Sequence, residues 1–199
     1  MRITDIVKAK GTRYTVFVDD EYWYILDIEI IMLNHLKPLM EVDEDFLEDI
    51  MMQAERRKAR ERAYYLLGYR DHSKKELYDK LLQSARPQIA MDIITMVEEQ
   101  GLLNDEDYAG KLARYYMLSK KWGAKKAYYE MLKKGIDKEM INIAIEECDV
   151  DYVEQIKAII DKKYYDCIDD YKGKQKLIAA LMRLGYAYDD IKTAISEYN

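Results

Sequence analysis

The sequence has little that interrupts a helix and few of the residues that build disulfides or metal sites. It contains two Pro, eight Gly, two Cys and two His in 199 residues. Since Pro and Gly are the residues least compatible with helix interiors, their scarcity favours a helical fold. The two cysteines, Cys148 and Cys167, have no CxxC or other metal-ligand spacing. We therefore expect a reduced, cytoplasmic protein without a disulfide framework and without a bound metal.

Targeting, membrane and catalytic motifs are also missing. The N-terminus lacks the basic and apolar leader of a secreted protein. No apolar run approaches the roughly 18 residues that a membrane-spanning helix needs. The sequence has no P-loop, no GxSxG or HExxH motif and no glycine-rich phosphate cradle. These absences predict a non-enzymatic protein with no catalytic residues, no cofactor and no membrane attachment.

Charge and tyrosine are abundant. Charged residues make up 35% of the chain, and there are 19 Tyr against two Phe, which suits half-exposed helix faces. Residues 1–55 carry five Lys or Arg and thirteen Asp or Glu, a net charge of −8. Residues 56–199 carry 27 Lys or Arg and 25 Asp or Glu, a net charge of +2. The overall charge of −6 therefore does not exclude a nucleic-acid partner, although a strongly basic DNA-binding footprint is lacking.

The first quarter of the chain predicts a small β-meander followed by helices. Residues 2–26 contain three short runs of β-forming residues with partial alternation, separated by turn signals at 10–12 and 19–21. A short helix is expected from Ile28 to His35, because Lys37-Pro38 ends it. Asp43 is a candidate N-cap for a long helix over about 44–68. The charged centre of that helix, 55–62, is either a solvated face or a partner surface.

The rest of the chain repeats with a period near fifty residues. Residues 63–67 align with 113–117 and 163–167, and Ser73 aligns with Gly123 and Gly173. Apolar residues within each unit follow helical spacing, which predicts three helices of about ten to fifteen residues per unit. Small helical units of this kind cannot cover their apolar faces alone, so consecutive units are expected to stack.

The repeat defines the predicted fold and its boundaries. The fold class is mainly α: three tandem three-helix repeats form a curved, solenoid-like array after the N-terminal β-meander and helix. The expected division is a strand-containing extension at 1–55, then helical repeats at 56–104, 105–149 and 150–199. A solenoid needs no second copy to close it, so a monomer is favoured.

Local signals within the repeats predict caps and contacts. Gly135 and Gly185 each follow a helix and suit a left-handed C-terminal cap. Ser73 and Glu76 have the spacing of a capping box, in which each side chain bonds a free backbone N–H of the other. The tyrosine pairs 64–65, 115–116 and 164–165 favour core or inter-helix packing over stacking on nucleic-acid bases.

Three motifs in this order resemble the RecX family. Residues 70–77 with Lys80-Leu81-Leu82 resemble the Arg/Ser/Glu-Leu/Lys-Leu pattern of the first RecX repeat. Residues 101–109 resemble the family's Gly-aromatic-Leu-Asn-Asp motif, with Leu102 where an aromatic residue is common. Trp122-Gly123 with residues 132–136 resembles the second-repeat pattern, a Gly followed by Leu-x-x-Lys-Gly-Ile. The resemblance covers about residues 60–199 and is weakest in the third repeat, and residues 1–55 loosely resemble the N-terminal extension of Gram-positive RecX proteins.

This resemblance implies a regulator of the recombinase RecA, with a role in homologous recombination, DNA repair and the SOS response. Such a protein binds the groove of the RecA filament on single-stranded DNA and inhibits ATP hydrolysis, strand exchange and co-protease activity. It acts by blocking filament growth or by promoting disassembly. The alternative is a DNA-binding helical-repeat protein that acts without RecA, since three-helix units also resemble helix-turn-helix modules. A generic helical scaffold is a third possibility, but it does not account for the RecX-like motifs.

Basic residues at comparable places in the repeats are the candidates for contact with RecA or, weakly, with DNA. The lysines among them fall into three groups: two open the second helix of the first repeat, four flank a turn at Gly123 in the second, and three flank a turn at Gly173 in the third. Repeated at one turn per unit, they are expected to place positive charge along one edge. A solvated helix terminus is the alternative for each of them. The candidates are Arg70, Lys74, Lys75, Lys120, Lys121, Lys125, Lys126, Lys172, Lys174 and Lys176.

Overall fold

The computed structural model describes residues 1–168 and 170–198, and its backbone contacts divide the chain into two compact units. The first unit contains Met1–Arg70 and Leu77–Gln100. The second unit contains Asp71–Glu76 and Gly101–Asn199. Over the described residues the secondary structure consists of a three-stranded sheet, ten α-helices, one π-helical turn and one 3₁₀ turn. The predicted fold class, mainly helical with a small N-terminal sheet, is confirmed.

The N-terminal strands form an antiparallel meander in the order β1-β2-β3. They are β1 (Ile3–Lys8), β2 (Arg13–Val18) and β3 (Glu21–Asp27). One face of the sheet is covered, and each strand contributes a fully buried residue to it: Ile3, Val16 and Leu26. The predicted meander is therefore confirmed, and its apolar face belongs to the core of the first unit.

Two helices follow the sheet, and the N-cap predicted for the second of them is confirmed. Helix α1 (Ile28–Leu33) begins at Asp27, whose carboxylate accepts a hydrogen bond from the backbone N–H of Glu29. Helix α2 (Glu44–Tyr69) begins at Asp43, whose carboxylate accepts from the N–H of Phe46 at 2.8 Å. The 26 residues of α2 run across the expected boundary between residues 55 and 56.

The remaining helices carry the repeats. They are α3 (Lys74–Leu81), α4 (Pro87–Glu99), α5 (Asp105–Arg114), α6 (Ala124–Lys133), α7 (Lys138–Glu146), α8 (Tyr152–Lys163), α9 (Tyr171–Arg183) and α10 (Tyr188–Ser196). The π-helical turn Tyr115–Ser119 follows α5, and the 3₁₀ turn Tyr165–Cys167 follows α8. Several helices are shorter than expected, since α3 has eight residues and α7 and α10 have nine.

The second unit contains one apolar core for each of its repeats. The first core includes Met117, Met131 and Ile141, and the second includes Ile156 and Leu177, all fully buried. The predicted glycine caps are confirmed: Gly135 has φ 79° and Gly185 has φ 92°, so both adopt the left-handed conformation after α6 and α9. Within the described part of the chain, no helix combines the length and apolar character needed to cross a bilayer.

The tyrosine pairs have different environments. Tyr116 is buried in the core and Tyr64 donates its hydroxyl proton to Gln100 at 3.1 Å, as the packing interpretation predicts. Tyr65 and Tyr165, by contrast, are 67% and 64% exposed. For these two rings a core role is wrong, although the Tyr165 ring packs edge-on against the Tyr198 ring, with centroids 6.4 Å apart, in a contact between elements that the same interpretation allows.

Candidate anion-binding groove

The segment between α5 and α6 departs from regular helix at two points. In the π-helical turn Tyr115–Ser119, the N–H of Lys120 donates to the carbonyl of Tyr115, five residues earlier, at 3.0 Å. Lys121 then adopts φ 55°, a left-handed conformation that is uncommon for a side-chain-bearing residue. Local distortions of this kind are frequent at functional sites. Here they place Lys120 and Lys121 just before Trp122 and Gly123, and Gly123 is the N-cap of α6.

Gly123 joins the second and third repeats through their main chains. Its N–H donates to the carbonyl of Leu184 at 2.9 Å, and the N–H of Lys125 donates to the carbonyl of Gly185 at 3.3 Å. A Cβ atom on Gly123 would lie 2.4 Å from the carbonyl of Gly185 and from the N of Tyr186. Only glycine permits this approach, so α6 begins directly against the loop that follows α9.

A buried glutamine links the same two repeats. Gln155 on α8 donates from Nε2 to the carbonyl of Met117, in the π-helical turn, at 2.9 Å. The hydroxyl of Tyr186 lies 2.6 Å from Gln155 Oε1 and 2.9 Å from the carbonyl of Lys121, so its single proton is shared between two acceptors. Burial raises the pKa of Tyr186, which keeps the phenol protonated at every physiological pH. These bonds fix the positions of α8, Lys121 and the loop after α9.

A cavity of about 630 Å³ lies beside this junction, and we call it the basic groove. Its residues come from the start of α6 and the segment before it, from one face of α8 and from the end of α9. They are Lys120, Lys121, Lys126, Gln155, Ala158, Ile159, Lys162, Lys163, Tyr164, Ala180, Arg183 and Leu184. Six of these twelve residues are basic and none is acidic.

None of these six cations forms an ion pair with any residue in the described part of the chain. Lysines elsewhere in the second unit differ. Lys111 pairs with two carboxylates, Lys133 pairs with Glu130, and Lys157 pairs with Glu154 and Glu197. Six like charges without counter-charges around one concavity repel one another and create a positive potential. The groove is therefore suited to a ligand that carries several negative charges.

The helix dipoles stabilise some of these six positive charges and destabilise others. Lys162, Lys163 and Arg183 lie in the last turns of α8 and α9, where positive charge is favourable. Lys126 lies in the first turn of α6, which contains no acidic residue, and a cation there opposes the helix dipole. Its ammonium lies 4.0 Å from the centre of the Trp122 ring, which holds the charge in place beside the groove.

The basic residues predicted as contacts from the sequence lie at different sites in the structure. Lys120, Lys121 and Lys126 line the basic groove, whereas the residues assigned to that groove do not include Lys125. Lys74 and Lys75 open α3, as predicted. They line a different concavity of about 790 Å³, together with Gly135 and Lys138. Arg70 belongs to the first unit and is the C-cap of α2.

The interpretation of the third group is wrong in one respect. Lys172, Lys174 and Lys176 do not flank a turn at Gly173, because Gly173 is the third residue of α9. Asp170 caps this helix by accepting from the N–H groups of Lys172 and Gly173, so it starts three residues earlier than the comparable α6. The three lysines lie along the first two turns of α9, and none is among the residues assigned to the basic groove.

Sequence reasoning missed three cations of the groove: Lys162, Lys163 and Arg183. A signal for Lys162 exists in the sequence, because Gln155, Ile159 and Lys162 follow the i, i+4, i+7 spacing of one helix face. That spacing places both a buried polar residue and a lysine on the face that turns toward the neighbouring repeat.

The junction between α3 and the second repeat has a different electrostatic character. The predicted capping box is confirmed: Ser73 Oγ accepts from the N–H of Glu76 at 3.0 Å, and Glu76 accepts from the N–H of Ser73 at 3.3 Å. Ser73 Oγ also donates to the carbonyl of Lys134, and the ammonium of Lys134 lies 2.9 Å from Glu76. Burial alone would lower the pKa of Lys134, but the bond to Glu76 and the nearby phenol of Tyr108 outweigh it and raise that pKa.

Comparison with known proteins agrees with this repeat organisation. Family models for the first, second and third three-helix domains of RecX match residues 59–88, 104–145 and 149–195, together more than half of the chain. The third match falls on the repeat whose sequence resemblance is weakest.

Whole-length relatives carry the same name. "Regulatory protein RecX" of Caldanaerobacter subterraneus subsp. tengcongensis is 28% identical over 98% of this chain and 99% of its own length. The protein of that name from Bacillus subtilis is 26% identical over 96% of this chain and 74% of its own length.

Solved structures extend the likeness to the fold. A crystal structure of RecX from Lactobacillus salivarius aligns with a TM-score of 0.66 and 28% identity over 72% of this chain and 96% of that one. A second crystal structure, of regulatory protein RecX, has a TM-score of 0.70 over 97% of this chain and 98% of its own, and at 19% identity it supports the fold alone. Three ordered domain matches and full-length relatives have one explanation: the chain belongs to the RecX family of regulatory proteins.

Proposed function

We propose that this protein binds the RecA filament on single-stranded DNA and inhibits the ATPase, strand-exchange and co-protease activities of RecA. The observation that carries the proposal is the basic groove, with six cations that have no ion-pair partner in the described chain. In a protein of the RecX family, such a groove supplies the contact with the filament. Its ligands there are DNA phosphates or acidic side chains of RecA.

Phosphate contact accounts for the density of lysine. Each phosphate that a lysine neutralises releases condensed counterions, so several modest contacts yield useful affinity that falls as salt rises. Because the two walls of the groove are joined by backbone hydrogen bonds at Gly123, the backbone positions that carry the cations keep a fixed spacing. A site with a fixed backbone loses less backbone freedom on binding than lysines dispersed over a mobile surface.

The first experiment measures the single-stranded-DNA-dependent ATPase rate of RecA against increasing amounts of this protein. A fall well below one molecule per RecA is expected, since capping or disassembly removes many protomers per inhibitor. A triple variant Lys120→Gln, Lys126→Gln and Lys163→Gln is expected to inhibit only at higher concentration. Its salt dependence of binding is expected to weaken by about 0.7 in log–log slope for each phosphate that the variant no longer neutralises.

The matched control removes the same charge from outside the groove. Lys133→Gln, Lys138→Gln and Lys192→Gln change three lysines of the second unit, and none of these is assigned to the groove. Equal inhibition by the two triple variants would reject the groove as the contact. No inhibition by the wild-type chain, together with a salt-sensitive shift of naked DNA, would instead favour a DNA-binding protein that acts without RecA.

A further inference from the structure

Two equivalent junctions in the second unit differ in how their charges are balanced. The repeat period of fifty places Asp71, Glu76 and Glu130 at the positions equivalent to Lys121, Lys126 and Ala180. At the first junction these carboxylates pair with three lysines of the same unit, which are Lys111, Lys134 and Lys133. That junction therefore neutralises its own cations.

At the second junction the three positions equivalent to these carboxylates hold no acidic residue. The positions equivalent to Lys111, Lys133 and Lys134 hold Asp161, Arg183 and Leu184, and Asp161 accepts a hydrogen bond from the Tyr198 hydroxyl and is not among the residues that line the basic groove. Lysines replace Asp71 and Glu76, alanine replaces Glu130, and the walls of the basic groove carry six positive charges with no acidic residue among them. A multiply charged anion that binds here supplies the negative charge that the first junction obtains from its own side chains. That ligand has to bring at least two charges to balance the positions where carboxylates are replaced.

The inner surface of the groove adds a second requirement. Ala158, Ile159 and Leu184 present apolar surface between the cations, and the volume of about 630 Å³ is typical of a site for one small molecule. A bare anion such as phosphate gains nothing from apolar surface. A ligand with a planar ring and a chain of charged groups uses both parts of the groove.

We propose that the basic groove binds a free nucleoside polyphosphate, with the phosphates against the lysines and Arg183 and the base against Ile159 and Leu184. This ligand binds without RecA, so the proposal stands apart from the function proposed above. If the groove also faces the filament, nucleotide and filament compete for it. Inhibition of RecA is then expected to weaken as ATP is raised beyond the level that saturates RecA.

The test is isothermal titration calorimetry of the full chain at low salt with four probes. These are ATP, inorganic tripolyphosphate, adenosine and a short oligothymidylate. ATP is expected to bind more tightly than tripolyphosphate, which lacks the base, and adenosine, which lacks the charge, is expected not to bind. The oligothymidylate is expected to displace ATP, because its nucleotide units share the same chemistry.

A variant of Ala158 tests the location without disturbing the core, since this residue is exposed on α8. Ala158→Glu supplies a carboxylate to the groove from the chain itself and is expected to weaken ATP binding about tenfold, because a like charge a few ångströms away repels the phosphates. Ala158→Gln, of the same size without the charge, is expected to retain most of the affinity.

Three outcomes would overturn the proposal. They are equal affinity for ATP and tripolyphosphate, binding of the oligothymidylate without binding of ATP, and equal effects of the Glu and Gln variants. None of these bears on inhibition of RecA by the wild-type chain, which the ATPase titration measures separately.

Discussion

Replacing Gly123 by alanine tests whether main-chain contact joins the second and third repeats. The added Cβ would lie 2.4 Å from the backbone of Gly185, whereas ordinary contact begins near 3.4 Å. The φ of Gly123 is −72°, which alanine adopts without strain, so the contact alone determines the effect. The backbone segments at Gly123 and Gly185 must therefore separate by about 1 Å, which is the difference between those distances.

The expected loss of stability follows from the hydrogen bonds and packing that this separation disrupts. Two backbone hydrogen bonds, from Gly123 and Lys125, are stretched or broken at about 1 kcal/mol each. Overpacking in a close contact adds about 1–3 kcal/mol. We expect Gly123→Ala to lower the free energy of unfolding of the second unit by about 3–5 kcal/mol, and to reduce anion affinity because the groove walls move apart.

Urea unfolding followed by circular dichroism measures this change, with Gly68→Ala as the control. Gly68 lies inside α2, where an added Cβ meets no atom within 4 Å. Alanine there is expected to stabilise the helix by about 0.5–1 kcal/mol. An unchanged unfolding midpoint for Gly123→Ala would show that the two repeats do not approach each other this closely at Gly123.

Three further substitutions test charged contacts, two in the second unit and one in the first. Glu76→Gln retains the capping box but removes the charge that pairs with Lys134, and it is expected to destabilise the protein by about 1–3 kcal/mol. Glu130→Gln, in an exposed pair, is expected to cost less than about 0.5 kcal/mol in the same urea titration, and equal costs would refute the distinction. In the first unit, the hydrogen bond from Thr12 lowers the pKa of Asp27 below its ordinary value of 3.8, although partial burial acts in the opposite direction. Because the folded-state pKa is depressed, this contribution is present above about pH 4 and is lost as the pH falls through the folded-state value. Asp27→Asn is therefore expected to lower stability at pH 7 but not at pH 2, and a constant difference across that range would contradict it.

Local sequence signals predicted most of the fold. Caps at Asp43, Gly135 and Gly185 depend on residues within a few positions of the helix end, and all three occur as expected. The capping box of Ser73 and Glu76 is likewise local. Such signals are reliable because the hydrogen bonds that they describe close within one turn of backbone.

The groove was only partly predictable, because its cations converge through contacts between distant residues. Lys126 and Arg183 are separated by 57 positions in the sequence. They line one cavity because Gly123 and Gly185 allow two segments of the backbone to approach closely. The sequence shows both glycines but not that they meet. Nor does it show the π-helical turn that precedes Lys120, since no residue type marks that departure from α-helix.

Repetition was also a misleading guide in the third repeat. A fifty-residue offset places a turn at Gly173, yet Asp170 is a better N-cap and starts α9 earlier. The core of the repeat keeps the fifty-residue offset, since Ala127 and Leu177, and then Met131 and Leu181, are buried at matching positions. The third repeat differs because α9 has an additional N-terminal turn, which places Lys172 and Lys174 on the helix and not beside a turn.

The joint at Gly123 also bears on how such a protein can change. Its two bonds run from backbone N–H to backbone carbonyl, so they require no particular side chain beyond the glycines themselves. Residues that line the adjacent groove can therefore exchange acid for base while the repeats keep their relative position. The same backbone arrangement therefore allows the charged side chains to pair with one another at one junction and to bind a ligand at the next. Each junction in a chain of repeats is in this way a binding surface that can change independently of the others.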